Sequence, residues 1–171
     1  MGLSAQQAAN PVVVIQTTVG DITIELYKDK APLTVENFLG YVNSGFYAGT
    51  IFHRVIRGMV IQGGGLTPQL REKKTRAPIK NEASTFLRND RGTVAAARMA
   101  GIDTATAQFF VNTNDNSQFD HKGPFPDQFG YAVFGRVIEG MEIVDVIEHV
   151  KVNGKNVPQS LVMITRVYVK E

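Results

Sequence analysis

Ile51-Phe52-His53-Arg54-Val55-Ile56-Arg57-Gly58-Met59-Val60-Ile61-Gln62-Gly63-Gly64-Gly65 is the stretch on which the reading of the whole chain turns. It holds two apolar runs of strand composition, Ile51 to Ile56 and Met59 to Ile61. They are broken at Arg57-Gly58, where a glycine ends or bends a strand. His53, Arg54 and Gln62 interrupt the apolar pattern. An arginine flanked by Phe52, Val55 and Ile56 is costly to bury unless it has a partner or a task. Two readings follow: an edge strand that turns its arginine to water, or a pocket wall that presents a fixed cation and an amide to a ligand.

The chain around this stretch has 171 residues, 43% hydrophobic and 20% charged, which suits one globular domain with its own core. Residues 1–10 are small and polar and read as a flexible lead-in without the basic and apolar regions of an intact signal peptide; residues 11–171 read as the domain. A net charge of +2 argues for neither a nucleic-acid nor a membrane partner. The chain has no cysteine, which excludes disulfides and thiolate metal sites and fits a reducing or an oxidising compartment. His53, His121 and His149 show no metal-ligand spacing.

Outward from the opening stretch, Val12 to Thr18 and Ile22 to Leu26 form a hairpin pattern turning at Gly20-Asp21. A helix follows, with Asp29 as its cap, Pro32 in its first turn and Gly45 at its end. Val35, Phe38, Leu39 and Val42 form its apolar stripe. Leu66 to Gly92 is a long polar segment of the kind that is functional or mobile in a compact domain, with a basic cluster at Arg71, Lys73, Lys74 and Arg76. Thr93 to Ala97, Gln108 to Asn112, Tyr131 to Val137 and Leu161 to Val169 read as strands. Gly140 opens a second helix with a stripe of Ile143, Val146, Ile147 and Val150. Many strands with only two helices predict a mainly β protein, an antiparallel barrel or sandwich capped by helices.

No serine sits on a Gly-x-Ser-x-Gly elbow, no paired carboxylates mark the strand ends, and Gly63-Gly64-Gly65 lacks the Lys-Ser/Thr of a phosphate loop. What remains is an apolar site with one fixed cation and two amides. That combination suits peptide binding or a reaction without proton transfer.

Four motifs in order carry a family resemblance: Phe52-His53-Arg54-Val55-Ile56, Gln62-Gly63-Gly64, Ala107-Gln108-Phe109-Phe110-Val111-Asn112 and Tyr131-Ala132-Val133-Phe134-Gly135. The chain resembles the cyclophilins, peptidyl-prolyl cis–trans isomerases, from Val12 to Val169. Ile79-Lys80-Asn81-Glu82-Ala83 and Leu87-Arg88-Asn89 are similar to the bacterial branch, most of all its periplasmic type. The resemblance therefore implies a periplasmic protein, with a cytoplasmic one as the alternative. It also implies an eight-stranded, closed antiparallel β-barrel capped by two α-helices, with a substrate groove on the outer wall and no cofactor or metal.

By the same resemblance Arg54 and Gln62 are the catalytic pair. Substrate contacts fall to His53, Met59, Val60, Arg98, Met99, Ala100, Gln108, Phe110, Phe119 and Tyr131, with backbone contacts from Arg98-Met99-Ala100. The implied substrates are proline-containing peptides and flexible or unfolded protein segments, bound by a monomer that assists folding as a chaperone does. The chain departs from relatives at Met59 and Val60, where many carry Phe and Met. It departs again at Gln118, where the usual residue is the aromatic associated with cyclosporin binding; this argues against binding that drug, unless Phe119 fills the aromatic position by a one-residue shift.

Overall fold

In a computed structural model, residues 9–171 are described. Most of the expected lead-in, residues 1–8, lies outside the described residues. The chain folds as β1 (Val12–Thr17), β2 (Gly20–Leu26), α1 (Pro32–Asn43), β3 (Arg54–Ile56), β4 (Val60–Gly63), β5 (Thr93–Ala96), β6 (Phe109–Asn112), β7 (Val133–Glu139), α2 (Met141–Glu148) and β8 (Ile164–Val169). A single 3-10 turn, Ser117–Phe119, lies between β6 and β7.

The β1–β2 hairpin has the register its alternation requires, with Ile15 opposite Ile22 and Thr17 opposite Gly20. Ile22, Ile24 and Leu26 share one face and are fully buried. The strands join into one antiparallel sheet in the order β3-β4-β6-β5-β7-β2-β1-β8. The sheet curls around its core as a half-barrel. The closed barrel expected from the sequence is not formed, because the outer strands β3 and β8 do not pair. Only the chain entering each strand makes contact: Ile51 bridges Met163, Phe52 N–H donates to the Val162 carbonyl (3.0 Å), and Ile164 N–H donates to the Thr50 carbonyl (2.7 Å). β3 lasts three residues before its turn, and its free edge is covered by a loop, Val55 N–H donating to the Asn156 carbonyl at 2.9 Å. A covered edge is blunted against pairing with other chains.

An aromatic cluster fills part of the interior. Phe109 meets Phe38, Tyr47 and Phe52 edge-on, with centroids 5.5–6.1 Å apart. Tyr47 buries its hydroxyl by donating to the Ala107 carbonyl at 2.7 Å. Burial pushes its pKa well above the ordinary range.

Both helices depart from their sequence reading at one point each. Asp29 does not cap α1; Ala31 is the N-cap and has no side chain for the purpose. The open N–H groups of the first turn are met by a residue distant in sequence. Glu82, in the long polar segment, accepts from Leu33 N–H (3.2 Å), Thr34 N–H (2.6 Å) and the Thr34 hydroxyl (2.6 Å). In α2, Val144 and Ile147 face the core and Val146 stands out in solvent, 52% exposed. The stripe is rotated because α2 packs against β2, β3 and β4, which places Glu148 over the β3–β4 turn. The long segment is tied to α1 elsewhere: Arg76 donates to the Gly40 carbonyl, and its guanidinium stacks on Tyr41 at 5.2 Å. Lys73 donates to the Phe46 carbonyl.

Candidate active site

β3 and β4 are joined through Gly58, whose φ of +76° lies in the left-handed region that favours glycine. Across this ladder Arg54 is opposite Gln62, Gln62 is opposite Phe110, and Phe110 is opposite Ala95. Partners directly across a sheet project to the same face. The neighbouring row, Val55-Ile61-Val111-Val94, is buried in the core. The strand period of two therefore sends the Arg54 row to the outer wall. Arg54 is exposed, and its guanidinium has no hydrogen bond or ion pair among the described residues. β3 is thus the edge strand of the first reading, and its arginine stands free beside the Gln62 amide.

Gln62 donates from Nε2 to Gln108 Oε1 at 2.9 Å, so the two amides are oriented by each other. Gly65 makes room for this pair: a Cβ there would lie 2.8 Å from Gln108 Nε2 and closer still to its stem.

Beside this row lies an aromatic cluster. Phe110, Phe119 and Tyr131 pack edge-on, with centroids 5.6 Å (Phe110–Phe119), 5.4 Å (Phe110–Tyr131) and 5.2 Å (Phe119–Tyr131) apart. Phe110 is buried at the base, while Phe119 and Tyr131 are half-buried. Val60 shares a face of β4 with Gln62 and sits diagonally from Phe110; Met59 is half-buried at the strand's entry. Gln118 is exposed, and its side chain donates to Asn116 Oδ1 at 3.3 Å. Of the two candidates for the aromatic position, Phe119 is the one packed against Phe110.

His53 is half-buried next to Arg54, and its Nδ1 is buried without a hydrogen-bond partner among the described residues. Burial, and then the Arg54 charge, lower its pKa below the ordinary 6.5. It is therefore a neutral imidazole at neutral pH.

The side chain of Arg98 is engaged with the protein's own backbone. Its guanidinium donates to the carbonyls of Gly130 (3.0 Å), Met99 (3.0 Å) and Pro126 (2.8 Å) and lies 5.0 Å over the Tyr131 ring. Met99 N–H is held by the Thr104 hydroxyl at 2.9 Å, and Met99 and Ala100 are exposed. A cavity of about 450 Å3 opens here between Arg98, Met99, Thr104 and Arg76, and shares Gln62 and Gln108 with the outer-wall row. Among the described residues no cluster of three or more His, Asp or Glu side chains could hold a metal ion.

Sequence reasoning gave no structural role to Glu82, Thr104 or the buried Asn89, Asn112 and Asn116, which act through contacts between distant segments. Glu82, Asn89 and Asn112 lie in segments that carry the family resemblance, and Asn112 also stands out as a polar side chain closing an apolar strand.

The outer wall of this curled antiparallel sheet carries a free arginine, paired amides and an aromatic cluster. The sequence profile described as cyclophilin type peptidyl-prolyl cis-trans isomerase matches residues 12–169, and the chain belongs to that family. It is 55% identical over 139 residues to a peptidyl-prolyl cis-trans isomerase of Streptomyces antibioticus, covering 81% of this chain and 84% of the relative. It is 47% identical over 164 residues to peptidyl-prolyl cis-trans isomerase B of Escherichia coli, covering 94% of this chain and all of the relative. Among solved structures it is similar to a Cryptosporidium parvum cyclophilin type isomerase crystallised in the presence of the dipeptide Ala-Pro. The TM-score is 0.82 at 28% identity, over 94% of this chain and 99% of the other.

Proposed function

We propose that this cyclophilin-type isomerase works on Xaa-Pro bonds in flexible polypeptide segments through the outer-wall row, with Arg54 as the group that lowers the barrier. The observation that carries the assignment is the unpartnered Arg54 guanidinium standing opposite Gln62, with Phe110 on the next strand beyond. The amide C–N bond resists rotation by ~18–20 kcal/mol because of its partial double-bond character. Uncatalysed exchange at a prolyl bond takes tens to hundreds of seconds. In the twisted transition state that resonance is lost and the prolyl nitrogen regains a lone pair. A donor aimed at the nitrogen stabilises the twisted state more than the planar one, which is what catalysis by differential binding requires.

Arg54 suits the role because its guanidinium is permanently protonated and planar. Phe110, Phe119, Tyr131, Met59 and Val60 hold the pyrrolidine ring and exclude water, which strengthens the arginine's field. Gln62 retains a second N–H for a substrate carbonyl. Gln108 orients Gln62, and the Arg98-Met99-Ala100 backbone lies alongside the bound chain. No bond is broken, so the step needs no nucleophile and no metal.

The reading extends to a monomer that assists folding by binding proline-containing segments, in the periplasm. Its support is the resemblance of the Ile79–Ala83 and Leu87–Asn89 segments to exported relatives. Exchange of a short Ala-Pro peptide, followed by NMR line shape with and without the protein, tests the activity. An exchange rate unchanged at saturating protein refutes it.

A further inference from the structure

Three asparagines lie wholly inside the protein next to the proline pocket, and no step above uses them. Asn89, Asn112 and Asn116 are 1%, 0% and 3% exposed. They form a continuous chain of amides. Asn116 Nδ2 donates to the Met59 carbonyl (2.9 Å) and to Asn112 Oδ1 (2.8 Å). Asn112 Nδ2 donates to Asn89 Oδ1 (3.1 Å) and to the Thr93 hydroxyl (2.9 Å). Asn89 Nδ2 donates to the Phe119 carbonyl (3.1 Å), Asp120 Oδ1 (3.3 Å) and the Tyr131 carbonyl (3.4 Å).

The two ends of this chain hold the backbones of residues assigned above to the proline pocket. One end holds the backbone of Met59, and the other holds the backbones of Phe119 and Tyr131. Those two aromatics also share a backbone bond, Tyr131 N–H to the Phe119 carbonyl at 3.0 Å. The register of β4 and β6 fixes the pocket base at Val60 and Phe110, but the aromatics sit on loops outside the ladder. Loop positions are set by whatever hydrogen bonds reach them, and a buried, fully paired network is stiff because every broken bond leaves a costly orphan. Asparagine is required here: each member uses its amide as a donor and its carbonyl as an acceptor at once, which neither aspartate nor alanine reproduces.

We propose that Asn89, Asn112 and Asn116 are positioning residues that set the separation of Met59 from the Phe119–Tyr131 pair, and so the width of the proline pocket and its selectivity for the five-membered ring. The inference rests on the assignment of this pocket to proline. Arg54 takes no part in the network, so the network governs binding and ring selectivity more than turnover.

The test is binding of a short Ala-Pro peptide and of its homologue with the six-membered pipecolic ring, with isomerisation of the Ala-Pro peptide measured in parallel. Asn116→Ala removes the bonds to Met59 and Asn112 but leaves Thr113 N–H on the Met59 carbonyl at 2.9 Å. It is expected to raise Kd and KM for the Ala-Pro peptide about fivefold to tenfold, to leave kcat within about twofold, and to shrink the preference for proline over pipecolic acid. Ile164→Val, a core change remote from the pocket, controls for loss of stability and is expected to change neither Kd nor selectivity. In the wild-type protein the side-chain amide resonances of Asn112 and Asn116 are expected to shift on saturation with the Ala-Pro peptide. That measurement stands even if a variant fails to fold.

Wild-type Kd and selectivity in Asn116→Ala, or amide resonances unmoved by saturating peptide, overturn the inference alone. A wild-type protein that binds the peptide without isomerising it overturns the functional reading, while the Kd comparison still decides on the network. A wild-type protein that does neither overturns both.

Discussion

Arg54 and Gln62 stand directly opposite each other across the β3–β4 ladder, yet they do not bond to each other: the amide is held by Gln108, and the guanidinium is left free. A free, exposed cation adds little to stability, because a surface charge in water has little to lose. A cation with no structural duty beside an oriented amide and an aromatic hollow is available for a ligand.

Arg54→Ala is accordingly expected to lower kcat/KM for an Ala-Pro peptide by about 100-fold or more, the usual scale for removing one transition-state donor. The unfolding midpoint in urea should stay where it is. Arg54→Lys should remain strongly impaired, because an ammonium point charge does not reproduce the planar donor fork. Activity within twofold of wild type in Arg54→Ala contradicts the role given to this side chain.

Glu82→Ala is expected to destabilise the fold by about 1–2 kcal/mol, the scale of a lost helix cap with its favourable charge at the N-terminus. The carboxylate accepts three bonds at the start of α1 and has none to the outer-wall row or to Phe110, Phe119 and Tyr131. Urea denaturation should therefore show the loss while kcat stays near wild type. An unchanged midpoint would contradict the capping role.

His53 links stability to acid. Its folded pKa is lowered from the ordinary 6.5, first by burial and then by Arg54. Below pH 6.5 the unfolded chain takes up this proton before the folded one does, so stability rises with pH there. The contribution is complete above 6.5 and is lost as pH falls from 6.5 towards the folded pKa. NMR titration of the ring should give a midpoint below 6.5 that moves up in Arg54→Ala. A midpoint at or above 6.5 in the wild-type protein runs against the burial argument.

Gln118 is exposed and offers no aromatic surface, while Phe119 packs inward on Phe110. Cyclosporin is expected to inhibit the protein poorly, and Gln118→Trp to strengthen the inhibition. Phe119→Ala should raise KM for the Ala-Pro peptide several-fold by opening the hollow to water. Inhibitor titration of the three proteins decides the point; tight inhibition of the wild-type chain would show that Phe119 alone supplies the aromatic contact.

The alternation of Ile22, Ile24 and Leu26 and the stripe of Val35, Phe38 and Val42 were legible because period alone decides which face is buried. The alignment of Arg54, Gln62 and Phe110 was legible as order along the chain and became a row only through register. The period of α1 is visible in the sequence, but a local reading offers Asp29 as its cap. The cap comes from Glu82, 48 residues from Thr34, and no local pattern encodes that distance. The period of α2 admits Val146 to its apolar stripe, and only the strands that α2 meets turn that side chain to solvent.

Strands, helices, the aromatic core and the residue types at the outer wall can be read from the chain alone, because they depend on period, burial and composition. Only the tertiary structure decided that the sheet stays open between β3 and β8. It alone decided that Phe119 rather than Gln118 lines the hollow, that Arg98 turns its charge to backbone carbonyls, and that three buried asparagines join the backbones of Met59, Phe119 and Tyr131. Each of these is a bond or contact between segments far apart in the chain. Their formation depends on how the loops settle on the finished sheet, which no local periodicity specifies.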